Sequence, residues 1–218
     1  MHNPIICAID TENLDFACKL VKQLKDCVGA VKLGLEFFVA NGAPGVQKIA
    51  DIGTPIFLDL KFHDIPNTVS AAVRAACKLD IFMLTVHIAG GEAMLQSALE
   101  AAEGRVKIIG VTVLTHIGNV QGEVLNLAKA AHMLGLDGVV CAADEALHIK
   151  EVIAKENFLV ITPGIRPEGS PRNEQKRVAT PQQAVAMGTD YIVLGRPITT
   201  SKDPKGTVMQ ILDSIGLQ

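Results

Sequence analysis

Short apolar runs alternate with longer amphipathic stretches along the whole chain. The runs are "PIICAID" (4–10), "AVKLG" (30–34), "PIFLDLK" (55–61), "FMLTVH" (82–87), "VKIIGVTV" (106–113), "GVVCA" (138–142), "FLVITPG" (158–164) and "DYIVLG" (190–195). Most are continuously hydrophobic, the pattern of parallel strands covered on both faces. The stretches between them, such as "NLDFACKLVKQLKD" (13–26), "TVSAAVRAACKLD" (68–80) and "GEAMLQSALEAAE" (91–103), carry apolar residues at i, i+3, i+4 spacing and predict helices. The alternation amounts to about eight βα units and points to an α/β fold, a (β/α)8 TIM barrel. A doubly wound open sheet is the competing architecture. Against it, the first strand ends in "AID" and is not followed by a G-x-G-x-x-G turn. No linker or low-complexity tract divides the chain, so residues 1–218 are expected to form a single barrel domain. One long irregular stretch, "TPGIRPEGSPRNEQKRVATP" (162–181), reads as a mobile loop of functional type.

The 218 residues are 49 % hydrophobic and 20 % charged, ample for a core. No signal-peptide pattern opens the sequence, and no apolar stretch reaches the roughly 18–20 residues of a membrane span. A soluble, cytoplasmic protein without membrane association is expected. The net charge of −3, without basic blocks, argues against nucleic-acid binding. Five scattered cysteines, without a C-x-x-C pair, read as reduced core thiols, and no zinc site is expected.

In a barrel of this kind the chemistry sits where strands end and βα loops begin. The predicted strand ends carry Asp10, Lys32, Asp59 with Lys61, His87, Thr112, Gly164 with Arg166, and Gly195 with Arg196. Singly, each has a bland reading: a strand-end Asp caps a helix, a Lys snorkels, a His is a satisfied polar side chain. Jointly they converge on one face. Asp59 and Lys61 lie two apart on a strand and so point to the same side, with Leu60 directed at the helices. Buried charges are costly unless paired. An array of Lys32, Asp59, Lys61 and Asp64 would alternate in sign and hold Lys61 protonated and aimed, which is apparatus for delivering a proton. The segments "TPGIRP" and "LGRPIT" each place an Arg just beyond a Gly at the ends of the last two strands, where barrels commonly bind phosphate. Gln175, inside the long loop, adds a further donor.

These motifs resemble the orotidine 5'-phosphate decarboxylase family over the full length. The resemblance rests on "AID" (8–10), "VKLG" (31–34), "DLKFHDIPNT" (59–68), "VHIAGG" (86–91), "GVTVLT" (110–115), "TPGIR" (162–166), "RVATP" (177–181) and "GRPIT" (195–199). It implies a (β/α)8 barrel acting as a homodimer with shared active sites, without metal or organic cofactor, on the small-molecule substrate orotidine 5'-monophosphate. By resemblance, Asp10 and Lys32 hold the ribose hydroxyls, Asp59 sits beside the substrate carboxylate, and Lys61 supplies the proton. Asp64 and Thr68 reach into the partner subunit's site, and Thr115 lies near the pyrimidine. Arg166, Gln175, Gly195 and Arg196 hold the substrate, chiefly its phosphate, and binding drives closure of the loop at 162–181. Bacterial relatives often read Leu-Thr-Ser where this chain has Leu114-Thr115-His116, and His116 is left out of the site. Two other readings are a metal-dependent sugar-phosphate decarboxylase or aldolase on the same scaffold, and a catalytically silent nucleotide-binding barrel.

Overall fold

The structure, a computed structural model, describes residues 3–114, 121–154, 157–169 and 178–217. The strands are β1 (Ile5–Ala8), β2 (Ala30–Leu33), β3 (Ile56–Phe62), β4 (Met83–His87), β5 (Lys107–Val111), β6 (Gly138–Val140), β7 (Leu159–Thr162) and β8 (Tyr191–Leu194). Each pairs in parallel with its neighbours, and β8 pairs with β1 through Ile5↔Ile192, Ile6↔Val193 and Cys7↔Leu194, closing the barrel. That closure decides against the open doubly wound sheet. Parallel neighbours need long crossovers, supplied here by helices α1 (Leu14–Leu24), α2 (Leu35–Ala50), α3 (Pro66–Ala76), α4 (Glu92–Ala102), α5 (Gln121–Leu134), α6 (Ala143–Val152) and α7 (Pro181–Ala186). A four-residue turn α8 (Arg196–Thr199) and the helix α9 (Pro204–Ser214) follow β8. Local chemistry sets several starts. Asn13 accepts from Phe16 N–H at the head of α1 (2.9 Å), and Thr180 and Gln183 cap α7 reciprocally. In α2 the backbone leaves helical geometry at Gly42, two residues before Pro44, and the helix kinks there.

The strands sort their side chains by parity. Ile5, Cys7, Ile9, Val31, Leu33, Ile56, Leu58, Leu84, Val86, Ile192 and Leu194 belong to the large core between barrel and helices. The alternate residues Ile6, Ala8, Ala30, Phe57, Met83, Ile109, Ile161, Tyr191 and Val193 fill a smaller core inside the barrel. A fully buried side chain such as Phe57 contributes about 1.5–3 kcal/mol relative to exposure. At the opposite ends of the strands, Asp137 and Asp190 accept the N–H groups of Ile108 (2.8 Å) and Val160 (2.6 Å), and Lys150 Nζ lies 2.6 Å from Asp190.

All five cysteines are free. Cys7, Cys27 and Cys141 are buried and Cys18 and Cys77 half-buried; burial pushes the Cys7 thiol up to about 12 and leaves it inert. Among the described residues, no helix is long and apolar enough to cross a membrane.

Candidate active site

The inner parity that is apolar at the floor of the barrel turns polar at its mouth. Following β1 inward positions, Ile6 and Ala8 lead to Asp10. On β2, Ala30 leads to Lys32. On β3, Phe57 leads to Asp59, and on β4, Met83 leads to Thr85 and His87. The strand pattern therefore delivers charged groups to one spot above a hydrophobic plug.

Those groups form a chain of alternating sign. Lys32 Nζ lies 3.1 Å from Asp10 Oδ1 and 3.7 Å from Asp59 Oδ2, and Lys61 Nζ lies 2.8 Å from the same Asp59 oxygen. Asp59 and Lys32 are largely shielded, with side chains 12 % and 14 % exposed, and Lys61 is 29 % exposed. Shielding at this level makes the two contacts of Asp59 stronger than a surface ion pair, and it requires the pairing, since an unpaired charge here would be expensive; Asp10, 53 % exposed, pairs with Lys32 at the solvent edge. Gly34 belongs to the arrangement. A Cβ at that position would come within 3.0 Å of Lys32 Nζ and 3.4 Å of Asp10 Oδ1, so a side chain there would press on the pair.

Lys61 meets Asp59 for a different reason than strand alternation. Lys61 has φ 53, in the left-handed region, which costs a non-glycine residue about 1–3 kcal/mol. The β3–β4 register shifts there: Leu58 pairs with Leu84 and Phe62 with Val86, so four residues of β3 advance while β4 advances two. The bulge turns the Lys61 side chain back onto Asp59. Leu60 packs against the outer core as expected.

Asp64 is not part of the chain within one protomer. It is exposed, its Oδ1 accepts the Ile65 N–H at 2.7 Å, and it makes no ion pair among the described residues. Within one protomer the chain of contacts is thus Asp10–Lys32–Asp59–Lys61, and Asp64 lies on the loop two residues past the end of β3. Thr68, exposed on the first turn of α3, follows the same loop.

A cavity of about 510 Å³ opens beside the charge chain, lined by Asp10, Lys32, Glu36, Gly164, Arg166, Gly195 and Arg196, among others. Three cations face two carboxylates there, so the cavity favours an anion although the chain as a whole is acidic. Arg166 is buried; its Nη1 donates to Ile165 O (2.9 Å), and its backbone N–H donates to Ala179 O (2.9 Å), where Ile165 and Ala179 form an isolated bridge. This ties the two ends of the 162–181 stretch together and holds Arg166 against the cavity. Gly164, at φ 78, makes the turn that a side chain would strain. Gly195 precedes α8 and opens onto Ala8 and Asp10. Thr115, His116 and Gln175 lie outside the described residues.

His87 stacks against His63 with ring centroids 5.2 Å apart. Burial, then the charges of His63 and Lys61, hold the His87 imidazole below its ordinary value, against the opposing pull of Asp59. Thr112, a candidate by position, instead donates its hydroxyl to Val140 O at 2.7 Å and closes the β5–β6 edge. Sequence reasoning passed over Thr85 and Glu36. Thr85 was legible as a polar residue at the inner parity of β4; nothing in the sequence singled out Glu36. A second cavity, about 480 Å³, lies at the opposite face of the barrel, around Thr54, Asp80, Arg105 and Lys107. There Arg105 pairs with Glu103 and Lys107 with Asp137, so no set of groups converges on it. Among the described residues no three His, Cys, Asp or Glu are arranged to hold a metal ion.

The same barrel and motifs recur in known proteins. The enzyme named orotidine 5'-phosphate decarboxylase from Wolbachia pipientis subsp. Culex pipiens is 49 % identical, over 98 % of this chain and 99 % of its own length. Its counterpart of the same name from Ehrlichia canis is 47 % identical over 99 % of both chains. The crystal structure of orotidine 5'-phosphate decarboxylase from Lactobacillus acidophilus superposes with a TM-score of 0.85 at 36 % identity, covering 98 % of this chain and 99 % of that one. Residues 3–211 match the model of a single family, and the chain belongs to it: the orotidine 5'-phosphate decarboxylase / HUMPS family.

Proposed function

We propose that this protein decarboxylates orotidine 5'-monophosphate to uridine 5'-monophosphate and CO2, the last step of de novo pyrimidine nucleotide synthesis. The observation that carries the reading is the charge chain Asp10–Lys32–Asp59–Lys61, shielded at Lys32 and Asp59, beside a cationic cavity. Breaking the C6–carboxylate bond releases CO2 and leaves the electron pair on C6, a vinyl-type carbon with no conjugated sink. The barrier is large, and a preorganised positive charge beside C6 is the direct way to lower it. Lys61 is that charge, and its ammonium then transfers a proton to C6; solvent reprotonates the amine. Asp59 aims Lys61 and sets negative charge against the substrate carboxylate. Asp10 and Lys32 take the ribose hydroxyls. Arg166, Gln175, Gly195 and Arg196 take the phosphate, and Thr115 lies by the pyrimidine. The phosphate is remote from C6, so its binding energy serves to hold the reacting end in place.

In this reading the protein works in the cytoplasm as a homodimer without metal or organic cofactor, and it has no nucleic-acid partner. Asp64 and Thr68 complete the neighbour's site, which accords with Asp64 standing outside its own protomer's charge chain. The test is a spectrophotometric turnover assay on orotidine 5'-monophosphate with a chelator present. Full activity is expected. Loss of activity on chelation, restored by a divalent cation, would instead favour a metal-dependent sugar-phosphate relative. An inactive protein that still binds uridine 5'-monophosphate would favour a silent binding barrel.

A further inference from the structure

We propose that Thr85 is the positioning residue of this site, acting on both members of the Asp59–Lys61 pair; the inference rests on the decarboxylase reading above. Thr85 is fully buried at the inner parity of β4. Its hydroxyl donates to Asp59 Oδ1 at 3.0 Å and accepts the backbone N–H of Lys61 at 2.8 Å. A hydroxyl carries one proton and two lone pairs, so it can hold a carboxylate and an N–H at once. Ser keeps this capacity and Ala loses it. Val is isosteric and does neither.

The position matters because the β ladder fails there. Between the Leu58↔Leu84 and Phe62↔Val86 pairs no regular register joins β3 to β4, and the Thr85 side chain supplies the contact the backbone does not. It holds Lys61 at φ 53, the turn that brings the ammonium to Asp59. At the other end it engages Oδ1 of Asp59 and leaves Oδ2 to the two lysines. Thr85 bonds the backbone of Lys61 and the far oxygen of Asp59 and does not itself line the cavity, so its effect falls on the aim of the pair, not on the binding of the nucleotide.

The test compares Thr85→Val, Thr85→Ala and Thr85→Ser with the wild type, using turnover of orotidine 5'-monophosphate, affinity for uridine 5'-monophosphate and melting curves. Thr85→Val should lower kcat by about 100-fold, the scale of a misplacement near 1 Å, while product affinity stays at the wild-type level. Thr85→Ser restores the hydroxyl and should recover most of kcat. Ser and Ala remove the same methyl and differ in one oxygen, so their kcat ratio reads the hydroxyl even if the Val variant fails to fold. Equal kcat for Ser and Ala would overturn the proposal, as would a loss confined to KM and product affinity. An inactive wild type would overturn the decarboxylase reading itself. An active wild type with a fully active Thr85→Val would overturn only the role of Thr85.

Discussion

Replacing Asp59 by Asn keeps the side chain's shape and removes the negative charge that Lys32 and Lys61 share. The Lys61 contact is the closer, at 2.8 Å. Two unit charges at that separation attract by about 6 kcal/mol at an effective dielectric of ~20. Only part of this survives as an effect of the substitution. Lys61 is 29 % exposed, so water screens part of the interaction, and the carboxylate's own desolvation cost disappears with its charge. A net loss of about 2–3 kcal/mol in aiming Lys61 remains, equivalent to about 30- to 150-fold in kcat. The direction of KM is the sharper signature. With Asp59 neutral, nothing repels the substrate carboxylate and Lys61 is free to pair with it, so KM should not rise. Affinity for uridine 5'-monophosphate, which lacks that carboxylate, should hold. The assay is steady-state decarboxylation with chelator present, alongside product titration and a melting curve to verify folding. A fall in kcat of under about threefold, less than ~0.7 kcal/mol, in a folded variant would refute the view that Asp59 organises Lys61.

Arg196→Ala removes one cation from the cavity and should cost ~2–5 kcal/mol in kcat/KM, with a much smaller loss for the nucleoside substrate lacking phosphate; equal losses would show that Arg196 acts otherwise. Lys61→Ala and Asp64→Ala homodimers should each be nearly inactive. Co-refolded in equal amounts, they should regain about a quarter of all sites, because a two-fold dimer gathers both lesions in one site of each heterodimer; confirmed heterodimers without activity would make Asp64 a local residue. Because the folded His87 sits below its ordinary 6.5, the unfolded chain binds more protons between the folded value and 6.5. Stability should therefore be complete above about 6.5 and decline as pH falls toward the folded value, and His87→Gln should lose that component. Melting curves of the two proteins with the same acid slope would refute burial as the cause.

Much of this architecture was open to reading before any coordinate. The continuous apolar runs and the amphipathic stretches between them marked the βα repeat, because a strand covered on both faces has no polar position to spare until it reaches the barrel mouth. For the same reason Asp10, Lys32 and Asp59 stood out where the runs ended, and the segments with Arg just beyond a Gly, Gly164-Ile165-Arg166 and Gly195-Arg196, closed the last two. Ring closure was another matter. Pairing of Ile5–Cys7 with Ile192–Leu194 joins the two ends of the chain; the count of eight units and the lack of a G-x-G-x-x-G turn favoured closure over an open sheet, but the register of that pairing is written in no local pattern. The Asp59–Lys61 pair illustrates the division most sharply. Strand alternation foretold that the two side chains would meet, and they do, yet Lys61 reaches Asp59 through a left-handed residue in a bulge held by Thr85. A bulge is a mismatch between two strands, so it belongs to neither strand's own sequence. The place of Asp64 outside its protomer's charge chain likewise shows only in the contacts, where it is exposed past the end of β3 and accepts the Ile65 N–H. Sequence by itself determined which residues are polar, which parity they share and in what order they come, since these follow from side-chain chemistry and strand period. Distances, registers and which of two like charges joins a cluster depend on contacts between segments far apart in the chain, and only the tertiary structure decided them.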